Sequence, residues 1–265
     1  MDAKFKDIAY LERLNYMAML PTAQVTPDLE LEIKDNVILS RSEAFPTPDT
    51  NHACLLQSSP EDADALIAEI VGHFKSKDLP PTVFISPACT PTDLPERLLK
   101  RGFVKQKEEE AWMLLEDIGD FVVAKPAPKI AVKQIEKRDA LTFAEVFLTA
   151  FDMPSEYAPY MAQLIEPSIG LPNIYHYVAF IDAQAVGVCS LLCYQNVGII
   201  GSAGVVPVRR GAKVLNNLAF RVREDARKEG LKIGLLQTTA GGLFERFLRI
   251  SGFKNVFTRT CYMLP

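Results

Sequence analysis

Residues 201–211 read Gly-Ser-Ala-Gly-Val-Val-Pro-Val-Arg-Arg-Gly, and a long run with helical spacing begins where they end. A strand stops at Pro207, and after two intervening residues Arg210 and Gly211 open the helix. The first N–H groups of a helix lack partners within it and carry the positive end of its dipole, so they form a site for an anion such as a pyrophosphate. Cations in that first turn are unfavourable unless an anion neutralises them. Arg209, Arg210 and Lys213 crowd there together, which points to an anionic ligand. The competing reading is an ordinary basic first turn beside a flexible glycine.

Other reactive side chains are few. The histidines are His52, His73 and His176, and the cysteines are Cys54, Cys89, Cys189, Cys193 and Cys261. An odd number of cysteines scattered through apolar stretches indicates reduced, buried thiols and neither a disulfide frame nor a metal site. His176, on an alternating strand, has a pKa suited to base catalysis, against the plainer reading of a satisfied core or surface histidine. A net charge of −4 argues against a nucleic-acid partner, which needs a basic stripe. No signal peptide and no apolar run of membrane-spanning length is present, so the expectation is a cytoplasmic protein with no membrane partner.

These residues need elements to position them. A chain of 265 residues with 48% hydrophobic content has room for two modest domains. Residues 3–19 have the spacing of an amphipathic helix, and 37–40 reads as a strand. Then follow an apolar run at 53–56, a helix over 62–74 with an acidic first turn, a strand at 82–86, a short helix over 93–100, and a strand at 111–115. The mixed-sign run 105–110 reads as a solvated strand edge. Two prolines in 121–129 suit a semi-rigid connector. Beyond it come a strand (130–134), a helix (139–151), an aromatic loop with a short helix, a strand pair (174–181 and 185–193) and a strand (197–206). A long helix (210–229), a strand (231–238), a helix (241–250) and a last strand (253–263) complete the order. Alternating β and α elements with an antiparallel front portion predict an α/β (α+β) fold.

Val205, Pro207, Arg210 and Gly211 resemble motif A of the GNAT N-acetyltransferase superfamily, and Gly252-Phe253 resembles its later Gly-Phe signature. The resemblance covers 130–265. A shortened copy without the Arg-Gly pair precedes it, with Gly102-Phe103 in the matching place. What it implies is a tandem: a degenerate N-terminal domain (1–120), a linker (121–129) and an acyl-CoA-binding domain (130–265). Each half is expected to hold a mixed, mostly antiparallel twisted sheet flanked by helices. The implied cosubstrate is acetyl-CoA, with no metal. The implied cofactor-binding residues are Val205, Val206, Arg209, Arg210, Gly211, Ala212, Lys213, Val214 and Leu215, the backbone near Val205 and Val206 polarising the thioester carbonyl. The acceptor would be a small-molecule amine, and the fused halves would supply what relatives obtain by dimerising, leaving a monomer or homodimer.

The chain also departs from that pattern. Lys213 and Leu215 stand where the family has glycine or alanine, which let the backbone approach a pyrophosphate. Leu248 stands where many members carry a proton-donating tyrosine, and Phe244, one turn earlier, cannot replace it. Tyr262, Tyr157 and Tyr160 are the substitutes in the sequence, with Tyr262 taken as the candidate acid. Three readings follow: an N-acetyltransferase acting by direct transfer, a catalytically silent acyl-CoA-binding or scaffold protein, and an unrelated α/β module with a coincidental Arg-Gly turn.

Overall fold

The computed structural model describes residues 3–265, and of Ala212 only its place in a helix. The strands are β1 Glu30–Ile33, β2 Ile38–Arg41, β3 His52–Cys54, β4 Thr82–Ile85, β5 Val104–Leu115, β6 Ile130–Gln134, β7 Ile174–Ile181, β8 Gln184–Tyr194, β9 Val197–Val205, β10 Ile233–Thr239 and β11 Lys254–Met263. The helices are α1 Ile8–Val25, α2 Ala63–Lys75, α3 Leu94–Lys100, α4 Ala140–Ala150, α5 Ala158–Ile165, α6 Ala212–Lys228 and α7 Leu243–Ile250. All strands join one sheet in the order β1-β2-β3-β4-β11-β5-β10-β9-β8-β7-β6, in which β3–β4 and β9–β10 are parallel and the other neighbours antiparallel.

The mixed, mostly antiparallel sheet flanked by helices matches the expected class, but the halves do not keep their strands apart. β5, from the first half, lies between β11 and β10; β11, from the second half, lies between β4 and β5. Each half completes its sheet with a strand of the other. β5 joins two expected pieces: the charged run 105–110, expected as a solvated strand edge, belongs to it as a largely exposed ribbon, and 111–115 is its buried end.

Helices cover both faces because strand side chains alternate. On one face α1 packs on Trp112, Leu114, Ile199, Leu235 and Phe257, and α4 and α5 pack on Val178 and Val188. On the other, α6 and α7 cover the second half and α2 and α3 the first. Helix α6 owes its seat to a stripe at four-residue spacing, Val214, Leu218, Val222 and Ala226, all buried.

Two polar fixtures hold this arrangement. The connector 121–129 lies along α6: Asn216 bonds both backbone groups of Ala124 (2.7 and 3.0 Å), and Asn217 bonds those of Ala127 (2.9 and 3.0 Å) and the Ile130 carbonyl (2.8 Å). Under α1, the Arg259 guanidinium is sandwiched between Phe84 (4.6 Å) and Trp112 (4.8 Å). It donates to Glu110 (2.6 and 2.9 Å), to Glu12 Oε2 (3.3 Å) and to the Tyr16 hydroxyl (3.2 Å). Burial pushes the Glu12 carboxyl above its ordinary pKa while Arg259 pulls it back, and Glu12 Oε1 has no hydrogen-bond partner.

Candidate functional site

The parallel strands β9 and β10 stay paired from Val197–Ile233 to Ile200–Leu236 and then part, β9 continuing beside β8 and β10 beside β5. A fork therefore opens in the sheet at Ile200 and Leu236. On β9 the next residues form a β-bulge, in which Ser202 and Ala203 together oppose Cys189 and Ser202 takes a left-handed φ of 52°. A bulge bends its strand and strengthens the local twist, which carries β9 away from β10.

Two glycines bring helices close to this end of the sheet. A Cβ on Gly187 would lie 2.9 Å from Val214 of α6, and one on Gly204 would lie 2.8 Å from the Ala150 Cβ at the end of α4. Arg210 secures the junction by donating to the Ala150 carbonyl at 2.9 Å. The start of α6 is thus fixed just beyond the end of β9. Gly211 at its N-cap is extended (φ 162°, ψ 159°), and no side chain caps the helix. Arg209, Arg210, Gly211 and Lys213 are all exposed, and a Cβ on Gly211 would meet nothing within 4 Å. Unpartnered helix N–H groups, three cations and an open backbone approach fit a diphosphate.

The other residues named from the sequence divide by position. Val205 and Val214 are buried core, and Val206 is half-buried. The Val206 N–H already donates to the Val186 carbonyl at 3.0 Å, so that amide is occupied as an oxyanion donor. Leu215 points into the space between α6, α7 and the sheet. Ala212 is outside the residues whose side chains are described. Tyr262 is not brought to the fork: it is buried in the core under α2 and α3, on β11 opposite Val83 of β4.

His176 is buried and held by two serines. Ser168 donates to the Ile165 carbonyl (2.7 Å), so Nε2–H donates to the Ser168 oxygen (2.9 Å) and Nδ1 accepts from Ser190 (2.8 Å). Burial lowers its pKa to about 4. This is a neutral structural histidine. Burial likewise raises the Cys189, Cys193 and Cys261 thiols to about 12, which makes each a poor nucleophile.

Beneath the fork on the α6–α7 side lies a cavity of about 30 Å³ with an almost wholly apolar wall, bounded by Ile200 and Leu236, by Leu215 and Ala219 of α6, and by Phe244 and Leu248 of α7. On the opposite face, Gln237, the first β10 residue past the fork, donates to Asn15 of α1 at 2.9 Å, and a Cβ on Gly201 would meet nothing within 4 Å. Sequence reasoning passed over Asn15, Gln237, Asn216 and Asn217. The adjacent asparagines on an otherwise stripe-patterned helix were the one available signal.

Known structures share this architecture. A GCN5-related N-acetyltransferase from Kribbella flavida superposes with a TM-score of 0.70 at 12% identity, covering 98% of this chain and 97% of its own. A tandem GNAT protein from the clavulanic acid biosynthesis pathway gives 0.63 at 13% identity, covering 98% and 93%. A GCN5-related N-acetyltransferase from Sphaerobacter thermophilus gives 0.59 at 15% identity, covering 96% and 91%. No family profile matches the sequence, and no relative is found among curated proteins. The chain shares the fold of these proteins over nearly its whole length. Among the described residues no helix is long and apolar enough to cross a membrane, and no group of three or more His, Cys, Asp or Glu side chains is placed to hold a metal.

Proposed function

We propose that the protein is an acyltransferase that binds a coenzyme A thioester at the β9–β10 fork and passes the acyl group to a small amine. The observation that carries this reading is the juxtaposition of the fork with the uncapped start of α6, where Arg209, Arg210 and Lys213 are exposed. In the transfer the amine nitrogen bonds the acyl carbon, the carbon–sulfur bond breaks, and the proton lost by nitrogen ends on the thiol. Arg210, Lys213 and the first α6 amides would hold the pyrophosphate, and the parted strands would hold the thioester. The amine would approach from the α1 side past Gly201. With Leu248 and Phe244 at the α7 position, solvent protonates the leaving thiolate.

The first half offers no equal site. Its parallel pair β3–β4 is rejoined by the Gln57–Thr90 bridge, and Leu56, Leu66, Leu94 and Leu98 fill the space beneath it. Its helix α2 starts amid Glu61, Asp62 and Asp64, which repel phosphate. We therefore place every coenzyme A contact beyond Ile130.

Calorimetry with coenzyme A tests the reading. Lys213→Glu and Arg210→Glu should each abolish detectable binding while circular dichroism stays native. Lys213 is included because Arg210 also ties α6 to α4. Unchanged affinity in both folded variants refutes the assignment. The second reading, a silent acyl-CoA-binding protein, is favoured by the apolar α7 face; binding without turnover on a panel of amines would select it.

A further inference from the structure

The cavity beneath the fork has no role in gripping a pyrophosphate, and its chemistry differs from that of the α6 entrance. Its position is set by Ile200 and Leu236, the last paired residues before the strands part, so it lies directly under the point where a thioester would enter the sheet. Its volume of about 30 Å³ exceeds the ~10–15 Å³ that a single water needs by the same measure. Its wall has almost no polar surface, so water that enters finds few partners and an apolar group displaces it at a gain. Of the departures from the family pattern, Leu215 and Leu248 lie on its wall, together with Phe244 one turn before Leu248, whereas Lys213 is exposed at the α6 entrance. One apolar chamber thus accounts for Leu215 and Leu248 together.

We propose that this chamber receives the tail of an acyl group longer than acetyl, making the preferred donor a short-chain acyl-CoA such as butyryl-CoA. The proposal rests on the coenzyme A reading of the fork and adds the acyl class to it. An acetyl group has no methylene to place there, whereas a butyryl group has two. Each buried methylene contributes about fourfold in affinity, so butyryl-CoA should bind ~15-fold more tightly than acetyl-CoA.

The experiment is calorimetric titration of the full chain with acetyl-CoA, butyryl-CoA and coenzyme A, reading the butyryl-to-acetyl affinity ratio. Ala219→Leu projects bulk into the chamber and should bring the ratio near one. Leu248→Ala enlarges it and should move the preference toward hexanoyl-CoA, which keeps the test decisive if the Ala219 variant does not fold. A ratio near one in the unmodified protein overturns the acyl-chain proposal and leaves the coenzyme A site standing. No binding of any of the three ligands overturns the site itself and the proposal with it.

Discussion

Replacing Arg259 with methionine should cost about 3–4 kcal/mol of stability at pH 7, most of it through Glu12. Methionine fills much of the slot between Phe84 and Trp112, so little of the loss is packing. What remains is the Glu12 carboxylate, fully buried, with Oε1 unpartnered and its one cation gone. Glu110 keeps its hydration, its side chain being 22% exposed. Glu12 escapes by taking up a proton, and the cost of that escape caps the damage. For a carboxyl of ordinary pKa 4.5, protonation costs about 3.4 kcal/mol at pH 7 and about 0.7 kcal/mol at pH 5. The deficit of the variant should therefore shrink about fivefold across those two units of pH. In the parent protein Tyr16, His52 and Cys54 are uncharged at pH 5–7, since burial, with the Arg259 charge beside it, holds His52 down to about 3 and burial raises the tyrosine and the thiol. Asp49, raised by desolvation and by Glu110, is the further neighbour that titrates. Urea unfolding at both pH values measures it, followed by far-UV circular dichroism and by Trp112, the one tryptophan. Adding Glu12→Gln should recover most of the loss at pH 7. An equal deficit at both pH values, or a double variant no better than the single, refutes the account.

Asn217→Ala should destabilise by about 2–4 kcal/mol, because it strips partners from the Ala127 N–H, the Ala127 carbonyl and the Ile130 carbonyl; Asn217→Asp should rescue only the N–H partner. Chemical denaturation of the three proteins ranks them, and an alanine variant within 0.5 kcal/mol of the parent, roughly the scatter of surface substitutions, would contradict it. Stability should also fall in mild acid. His52 and His176 stay neutral in the folded state, with pKa values held to about 3 and about 4, while in the unfolded chain they titrate near 6.5. As pH drops below 6.5 the unfolded state binds protons that the folded state refuses, a loss of about 4 kcal/mol by pH 5 for the two together. Glu12, whose pKa is raised, acts in the opposite sense and returns part of it. The paired double variant His52→Gln, His176→Gln should flatten the pH 5–7 stability profile, and an unchanged slope would show that other groups set it.

Much of the second half was legible because its signals are local. The stripe of α6, the turn at Asp182-Ala183 and the strand-to-helix passage at 205–211 each depend on residues close in sequence. The centre of the molecule was hidden for the opposite reason. Arg259 sits in an alternating Thr-Arg-Thr and reads as a solvent-facing residue; only the arrival of α1 and β5 from far away buries it. β1 alternates charged and apolar residues on an outer edge, so Glu30 and Glu32 concealed it. Helix α1 runs on past Pro21 to Val25, six residues beyond the readable amphipathic pattern, because tertiary contacts support a turn that local spacing does not advertise. Tyr262 looked like a neighbour of the fork because linear order assigns β11 to the second half. Leu215 and Leu248 stand 33 positions apart in the sequence, and only the packing of α6 against α7 shows them, with Phe244, facing one another.

The exchange of β5 and β11 has a consequence for how such a protein can change over generations. A half of this chain is not a unit that recombination can trade, since a fragment ending in the connector carries a strand that belongs beside β10 and lacks the strand that belongs beside β4. The first half therefore cannot be discarded even if it binds nothing. Its β5 backs the fork strand β10 along Glu110–Leu115, so change in the first half is restrained by the strand of the second that it supports. What this pairing leaves free to vary in the first half is the space beneath β3 and β4, which leucines fill.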